Sequence, residues 1–271
     1  MDYGVGGPLT AIDDELLPHL EGLPDEPIEL CRVVQSLVVL PDLAAGFGIP
    51  EERQDERNVR PASDLLRMLF AANPAPLTVE RPPTDRIVGT CRHFSVLACA
   101  LLRHGGVEAR SRCGFATYFV PGKYVDHWVV ERRDGAGDRW VRTDPEILGF
   151  DFVARPEDLA EGEFLSGGEA WDLCRKGGAD PSLFGVVGAP HAWGIAETRG
   201  NAVRDLAALN KVEVLPWDAW GRMDASYDGK TGADYDELMD TVARACGSND
   251  PATITACYES EDLAVPSDLL R

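Results

Sequence analysis

The chain has 271 residues, and its 46 aspartates and glutamates against 26 lysines and arginines leave a formal net charge of −20. Nucleic acids and anionic membranes require a basic surface, so we expect neither as a partner. Hydrophobic residues make up 44% of the chain, which is sufficient for one large domain or two small ones. The excess of arginine (22) over lysine (4) is typical of a GC-rich bacterial genome.

The chain contains no apolar run of the roughly 18 residues that a membrane-spanning helix needs. Its first 15 residues are acidic and lack the basic and apolar regions of a signal peptide, so we expect a cytoplasmic protein. The seven cysteines are scattered and include no C-x-x-C pair, which speaks against a zinc or thioredoxin-type site. We therefore expect no metal and no cofactor.

The first part of the chain predicts two helices separated by a loop. Residues 27–40 begin with a proline, repeat apolar positions at helical spacing and are followed by a second proline. Residues 51–60 are highly charged, which predicts an exposed loop. Residues 61–73 predict the second helix, which an Asn-Pro pair ends.

Residues 91–104 predict a buried helix. Thr90 is the expected N-cap, and Gly105 and Gly106 are the expected end. We expect His93 on the solvated face and Cys99 in the core. The apolar stripe recurs at i, i+3, i+4, i+7 and i+8, at Phe94, Leu97, Ala98, Leu101 and Leu102.

After this helix the hydrophobic period changes to two, which predicts an antiparallel meander. The predicted strands are residues 107–119, 124–132 and 139–143, with turns at residues 121–122 and at Asp134-Gly135-Ala136-Gly137. The rest of the chain predicts helices at residues 169–175, 201–210 and 235–246, the last ended by Gly247, and a further helix beginning at Pro251.

Cys91 occupies the first turn of the predicted helix 91–104. Backbone N–H groups are unpaired there and the helix dipole is positive, so a thiolate is favoured over a thiol. The same N–H groups could hold a developing oxyanion. This position therefore suits a nucleophilic cysteine.

A nucleophilic cysteine needs a base and a group that orients the base. His127 lies within a predicted strand, and Asp144 ends the next one, directly before Pro145. A strand, a glycine-rich turn and a strand would fold Asp144 back beside His127. Each residue alone is more often structural, because cysteines pack as hydrophobes, buried histidines are often core residues and Asp before Pro is a common turn. Their order and context together indicate catalysis.

The motifs around these residues resemble the transglutaminase-like superfamily. The resemblance is carried by G-T-C-R-H-F-S (residues 89–95), D-H-W-V-V-E (126–131) and W-V-R-T-D-P-E (140–146). It implies an α+β fold with a papain-like core, in which the cysteine helix packs on an antiparallel sheet. It also implies that Cys91 is the nucleophile, His127 the general base and Asp144 its partner.

We expect three segments. Residues 1–75 form an N-terminal helical segment, residues 76–150 the transglutaminase-like core, and residues 151–271 a mainly helical C-terminal extension that shapes the site. The candidate substrate-binding residues are Trp128, His191, Trp193 and Trp217, because loops with Gly, His and Trp often line pockets.

The expected function is cysteine-dependent acyl transfer through a thioester, on an amide- or thioester-containing substrate that could be a peptide, a protein or a small molecule. Either water or an amine could accept the acyl group. Water would make the enzyme an amidase or protease, whereas an amine would make it an amide-forming or transamidating enzyme. The alternative is a non-catalytic transglutaminase-like module that binds a partner or acts as a scaffold.

Overall fold

The computed structural model of the chain describes residues 1–135 and 139–270. It contains two compact units. The N-terminal unit comprises residues 2–110 and 129–158, and the C-terminal unit comprises residues 111–128 and 159–270 together with Met1. The predicted α+β class, with a cysteine helix and an antiparallel sheet, is confirmed.

The N-terminal unit contains four α-helices: α1 (Pro27–Gln35), α2 (Pro41–Ala44), α3 (Ala62–Ala72) and α4 (Cys91–His104). Helix α1 ends five residues before the predicted position because Val38–Val39 forms strand β1, which pairs in parallel with β2 (Ile87–Val88). The β-branched valines favour a strand over a further helical turn.

Four short 3₁₀ helices complete this part of the chain, at Asp14–Leu20, Ala45–Phe47, Glu51–Asn58 and Pro83–Asp85. The charged segment predicted as a loop is therefore mostly a 3₁₀ helix. It has no buried residue, in agreement with its predicted exposure.

Helix α4 forms the centre of the hydrophobic core of the N-terminal unit. The predicted apolar stripe is buried, and it packs with residues of α1 and α3 in one cluster that includes Leu30, Val34, Leu65, Leu69, Phe94, Leu97, Leu101 and Leu102. Cys99 belongs to the same cluster, as predicted. The burial of apolar surface on both sides fixes α4, and with it the position of Cys91 at its start.

The main sheet has five strands: β3 (Ala109–Ala116), β4 (Tyr124–Arg133), β5 (Trp140–Thr143), β6 (Phe164–Ser166) and β7 (Phe184–Gly185). The strand order is β5-β4-β3-β6, and β7 pairs in parallel with β4. Strands β4 and β5 are antiparallel, with Val130 opposite Thr143. The three predicted strands are confirmed, whereas β6 and β7 are too short to show a period of two. Residues 136 and 137 of the predicted turn at 134–137 lie outside the described part of the chain.

The C-terminal unit contains five helices: α5 (Gly167–Arg175), α6 (Ile195–Leu209), α7 (Met223–Tyr227), α8 (Ala233–Ser248) and α9 (Pro251–Tyr258). Helix α6 begins six residues before the predicted start. The predicted end of α8 at Gly247 is wrong, because the helix includes that glycine and ends at Ser248, before the left-handed C-cap Asn249. None of the helices in the described ranges is long and apolar enough to cross a bilayer.

Candidate active site

Cys91 is the first residue of α4, a helix of 14 residues, and it follows the extended residue Thr90. All seven cysteines lie in the described ranges, and Cys91 alone is partly exposed while the other six are buried. A helix start offers unpaired backbone N–H groups to the sulfur and favours its negative charge. Cys91 therefore combines access to solvent with a position that favours the thiolate.

Several of the buried cysteines have thiols whose pKa is raised rather than lowered. Burial raises the pKa of Cys31 to about 12 and that of Cys174 to about 11. Burial also raises the pKa of Cys246 well above that of an ordinary thiol. These thiols stay protonated at neutral pH, so they are poor nucleophiles and act as small apolar residues of the core.

His93 holds the start of α4 in place. The backbone N–H of Thr90 donates to His93 Nδ1 at 3.0 Å, and the ring lies 3.2 Å from the carbonyl oxygen of Val59 through Nε2. With Nδ1 as acceptor, Nε2 carries the proton and donates to that carbonyl. Burial, together with the charge of Arg92, lowers the pKa of His93 to about 3. The expectation that His93 lies on the solvated face is therefore wrong: the ring is a neutral internal cap.

Gly89 is required by the same arrangement. A Cβ atom at this position would lie 2.8 Å from Cγ of His93, closer than real Cβ contacts allow. Thr90 and His93 form a capping box in which histidine occupies the N3 position that glutamate or glutamine usually takes. Gly89, Thr90 and His93 thus form one local structure that sets the direction in which the chain enters α4 at Cys91.

Asp144 directly follows β5 and is fully buried. Its backbone N–H donates to the carbonyl of Pro156 at 2.8 Å. Its carboxylate oxygen Oδ1 accepts the backbone N–H of Glu146 at 3.0 Å. These bonds fix both the backbone and the side chain, so Asp144 has the restricted geometry that an orienting carboxylate requires.

His127 lies on β4 and is 2% exposed. Two aromatic rings of the C-terminal unit contact it edge-on, with ring centroids at 6.2 Å for Tyr118 and 4.9 Å for Phe119. Aromatic contacts of this kind limit the rotation of the imidazole.

A helix that starts with a cysteine is thus followed along the chain by a strand with an Asp-His-Trp sequence and by a strand that ends in Asp-Pro. Residues 75–145 match the transglutaminase-like superfamily. The resemblance is confirmed for these residues, which include Cys91, His127 and Asp144 and make up about a quarter of the chain. Domains of this superfamily are commonly cysteine-dependent. No curated protein and no solved structure matches the chain.

The four candidate substrate-binding residues have different surroundings. Trp128, within the transglutaminase-like segment, is fully buried. Trp193 packs on the backbone of Gly185, and its indole N–H donates to the carbonyl of Val186 at 2.8 Å. His191 and Trp217 line one cavity of the C-terminal unit.

That cavity lies beyond the transglutaminase-like segment, and sequence analysis missed most of its polar residues. Glu197, Arg204, Asp224 and Tyr227 also line it. They stand in stretches without a motif, and only the fold brings them together. Among the described residues, no group of three or more His, Cys, Asp or Glu side chains is arranged to hold a metal ion.

Proposed function

We propose that this protein is a cysteine-dependent acyl-transfer enzyme in which Cys91 is the nucleophile, His127 the general base and Asp144 the residue that orients the base. The observation that carries the proposal is the exposure of Cys91 at the start of α4, while the other six cysteines are buried. The match of residues 75–145 to a superfamily that is commonly cysteine-dependent supports the same assignment.

The reaction begins when His127 takes the proton of the Cys91 thiol and the thiolate attacks the carbonyl carbon of an amide or thioester. A bond forms between Sγ and this carbon, and the carbonyl electrons move to oxygen. Backbone N–H groups at the start of α4 stabilise the oxyanion. When the tetrahedral intermediate collapses, the bond to the leaving group breaks and His127 gives that group a proton.

The second half of the reaction releases the acyl group. Water or an amine attacks the thioester, and His127 accepts the proton of the incoming group. Collapse then breaks the Sγ–carbon bond and restores the thiolate. Attack by water gives a carboxylic acid, and attack by an amine gives a new amide. The net charge of −20 favours neutral or cationic substrates over acidic ones.

The proposed role of Asp144 is supported by its fixed position at the end of β5. Thr143 of β5 lies opposite Val130, which is three residues from His127 along β4. Asp144 follows Thr143 directly, and its hydrogen bonds to Pro156 and Glu146 hold it at the end of the strand. A carboxylate in this role keeps the imidazole in one tautomer and stabilises the imidazolium that forms.

The experiment that tests this proposal uses p-nitrophenyl acetate as a general acyl donor. Intact-mass measurement should detect one added acetyl group, and peptide mapping should place it on Cys91. Cys91→Ala should abolish the acetylation. His127→Gln should slow it by about 10²-fold or more. Cys174→Ala is the matched control and should leave the acetylation rate unchanged. Adding glycine ethyl ester then shows whether the acetyl group leaves as acetate or as an amide.

The alternative, a non-catalytic binding or scaffold module, predicts a different result. Cys91 would then gain no acetyl group faster than the other cysteines, and His127→Gln would have no effect on the rate. That outcome would overturn the proposed acyl transfer.

A further inference from the structure

The C-terminal unit contains a cavity of about 540 Å³, a volume that suits a small organic molecule. Its walls come from the segment before α6, from α6 itself, from the segment around Trp217 and from α7. All its lining residues lie outside the residues that match the transglutaminase-like superfamily.

Arg204 is the one lysine or arginine among the described lining residues, and it is not available to an anionic ligand. Its Nη1 donates to Glu197 Oε1 at 3.1 Å and to Asn201 Oδ1 at 3.0 Å. Its Nε donates to the carbonyl of Asp218 at 3.2 Å, and its Nη2 donates to the Tyr227 hydroxyl at 3.3 Å. Because every guanidinium nitrogen already has a protein acceptor, Arg204 acts as an internal counter-ion.

The carboxylates of the cavity outnumber this cation. Glu197 pairs with Arg204 and also accepts the Tyr227 hydroxyl at 2.6 Å. Asp224 is exposed on α7, and its carboxylate has no salt-bridge partner in the part of the chain that the structure describes. Asp228 pairs with the exposed Lys230 at 2.7 Å. The cavity therefore carries an excess of negative charge at its open side.

The carboxylate of Asp126, which lies behind the cavity wall formed by α6, is exposed to the same negative charge. Asp126 is held by Asn201 Nδ2, which donates to Oδ1 at 2.6 Å. Burial and the nearby charge of Glu197 raise the pKa of Asp126 to about 6. Burial is the larger cause of this rise, and the negative charge of Glu197 adds to it.

The remaining lining is apolar and aromatic. Trp217 is 46% exposed although it is one of the largest side chains of the unit, and His191 lies on the same cavity. Small apolar residues fill the rest of the wall: Val186, Ala189, Ala192, Pro216 and Ala219. An aromatic face next to carboxylates attracts organic cations, because the ring quadrupole is negative at its face.

We propose that this cavity binds an organic cation, a protonated amine on an apolar body, between Trp217 and Asp224. The apolar body would cover the small side chains and the indole, and the ammonium group would face Asp224 and Asp228. The proposal does not depend on acyl transfer by Cys91, so it is tested separately.

The first test compares the binding of three ligands of similar size, measured by NMR with ¹⁵N-labelled full-length protein. The ligands are 2-phenylethylamine, the anion 3-phenylpropionate and the neutral 3-phenyl-1-propanol. The amine should shift the indole N–H resonance of Trp217, assigned with Trp217→Phe, and should bind at least about fivefold more tightly than the anion. Equal or tighter binding of 3-phenylpropionate would overturn the proposal.

The second test removes the groups that the proposal assigns to the ammonium. Asp224→Asn should weaken 2-phenylethylamine binding about threefold, and Trp217→Ala about fivefold. Asp268→Asn, which removes an exposed carboxylate in the first turn of a 3₁₀ helix elsewhere in the unit, is the matched control. Thermal unfolding checks that each variant is folded. If Asp224→Asn and Trp217→Ala weaken binding no more than Asp268→Asn, the cavity is not an amine site.

A third arm distinguishes the source of the amine. N-acetyl-lysine methylamide carries the same ammonium group on a peptide-like body. Binding as tight as that of 2-phenylethylamine would identify a lysine side chain as the ligand, and weaker binding would identify a free amine. Both results support a cation site, provided that N-acetyl-norleucine methylamide, which lacks the ammonium group, does not compete with 2-phenylethylamine. Competition by this neutral analogue would overturn the proposal.

Discussion

Helices α4 and α6 are both almost entirely buried, but they are buried in different ways. Helix α4 buries an apolar stripe against apolar neighbours, and its buried polar side chains, such as His93, Ser95 and Arg103, pair with backbone carbonyls rather than with counter-ions. Helix α6 buries Glu197, Asn201, Arg204 and Asp205 along with its apolar residues. Each of these polar groups has a partner, as in the pair of Asp205 with Arg112. A helix can thus be internal because it is apolar or because other elements supply its counter-ions.

The burial of α4 can be predicted from its own sequence, whereas the burial of α6 cannot. An apolar period is visible in the helix's own residues, but a counter-ion lies elsewhere in the chain: Arg112 belongs to β3. Helix α6 also packs closely on α5, where a Cβ at Gly167 would lie 2.1 Å from the Asn201 carbonyl oxygen. Such close approaches depend on two distant segments at once, so they cannot be inferred from one.

The buried pair in α6 should give the largest effect on stability. Asp205 accepts Nε and Nη2 of Arg112, each at 2.8 Å, and the side chains are 0% and 4% exposed. Asp205→Ala leaves the guanidinium buried and unpaired, which should lower the free energy of unfolding by about 3–5 kcal/mol in urea titrations. Asp172→Ala breaks the exposed pair with Lys176 and should cost less than about 0.5 kcal/mol. Equal losses would mean that the buried pair of α6 contributes no more to stability than an exposed pair.

The neutral cap of α4 should make stability depend on pH. Because burial lowers the pKa of His93 from 6.5 to about 3, only the unfolded state binds the proton between these values. The free energy of unfolding should therefore fall below pH 6.5, by about 1 kcal/mol per pH unit from this residue.

His93→Gln keeps an acceptor for the Thr90 N–H but cannot take up a proton in this range. Its free energy of unfolding should depend less on pH than that of the wild type, and the difference between the two should shrink on acidification. Parallel curves for the two proteins, measured by urea unfolding at several pH values, would contradict a neutral buried His93.

The contact of Gly89 with His93 should give an intermediate effect. Gly89→Ala forces a Cβ against the ring, and it should lower the free energy of unfolding by about 1–3 kcal/mol. In a His93→Ala background most of this cost should disappear, because the ring atoms are absent. A double-mutant cycle measures the coupling, and additive losses would mean that the ring does not restrict Gly89.

Asp126, held by the α6 residue Asn201, should give the smallest effect and the opposite pH dependence to His93. Its pKa is raised from 3.8 to about 6, so the folded state binds the proton more strongly and loses stability as pH rises through this range. Asp126→Asn should equal the wild type near pH 4 and be more stable by up to about 1 kcal/mol at pH 7.5, since partial exposure screens the charge. A destabilised variant at pH 7.5 would show that the carboxylate is favourably paired.

The core and the superfamily motifs could be predicted from the sequence more readily than the cavity. The stripe of α4, the meander and the three motifs are local patterns; the fold class inferred from them is confirmed, and so is the resemblance of residues 75–145 to the superfamily. The burial of His93 was missed because its partners, Val59 and the Thr90 N–H, are not apolar. His191 and Trp217 were singled out by residue type, but the carboxylates beside them carried no local signal.

The assignment of Cys91 as a nucleophile is tested most directly by its rate of alkylation. Native protein and His127→Ala would be treated with iodoacetamide from about pH 5 to about pH 9, with all seven cysteines mapped by mass spectrometry. We expect that Cys91 reacts fastest, that its rate rises well below the pH of about 8.5 expected for an ordinary thiol, and that His127→Ala removes this advantage. Alkylation of Cys91 no faster than that of the six buried cysteines, or unchanged in His127→Ala, would contradict it.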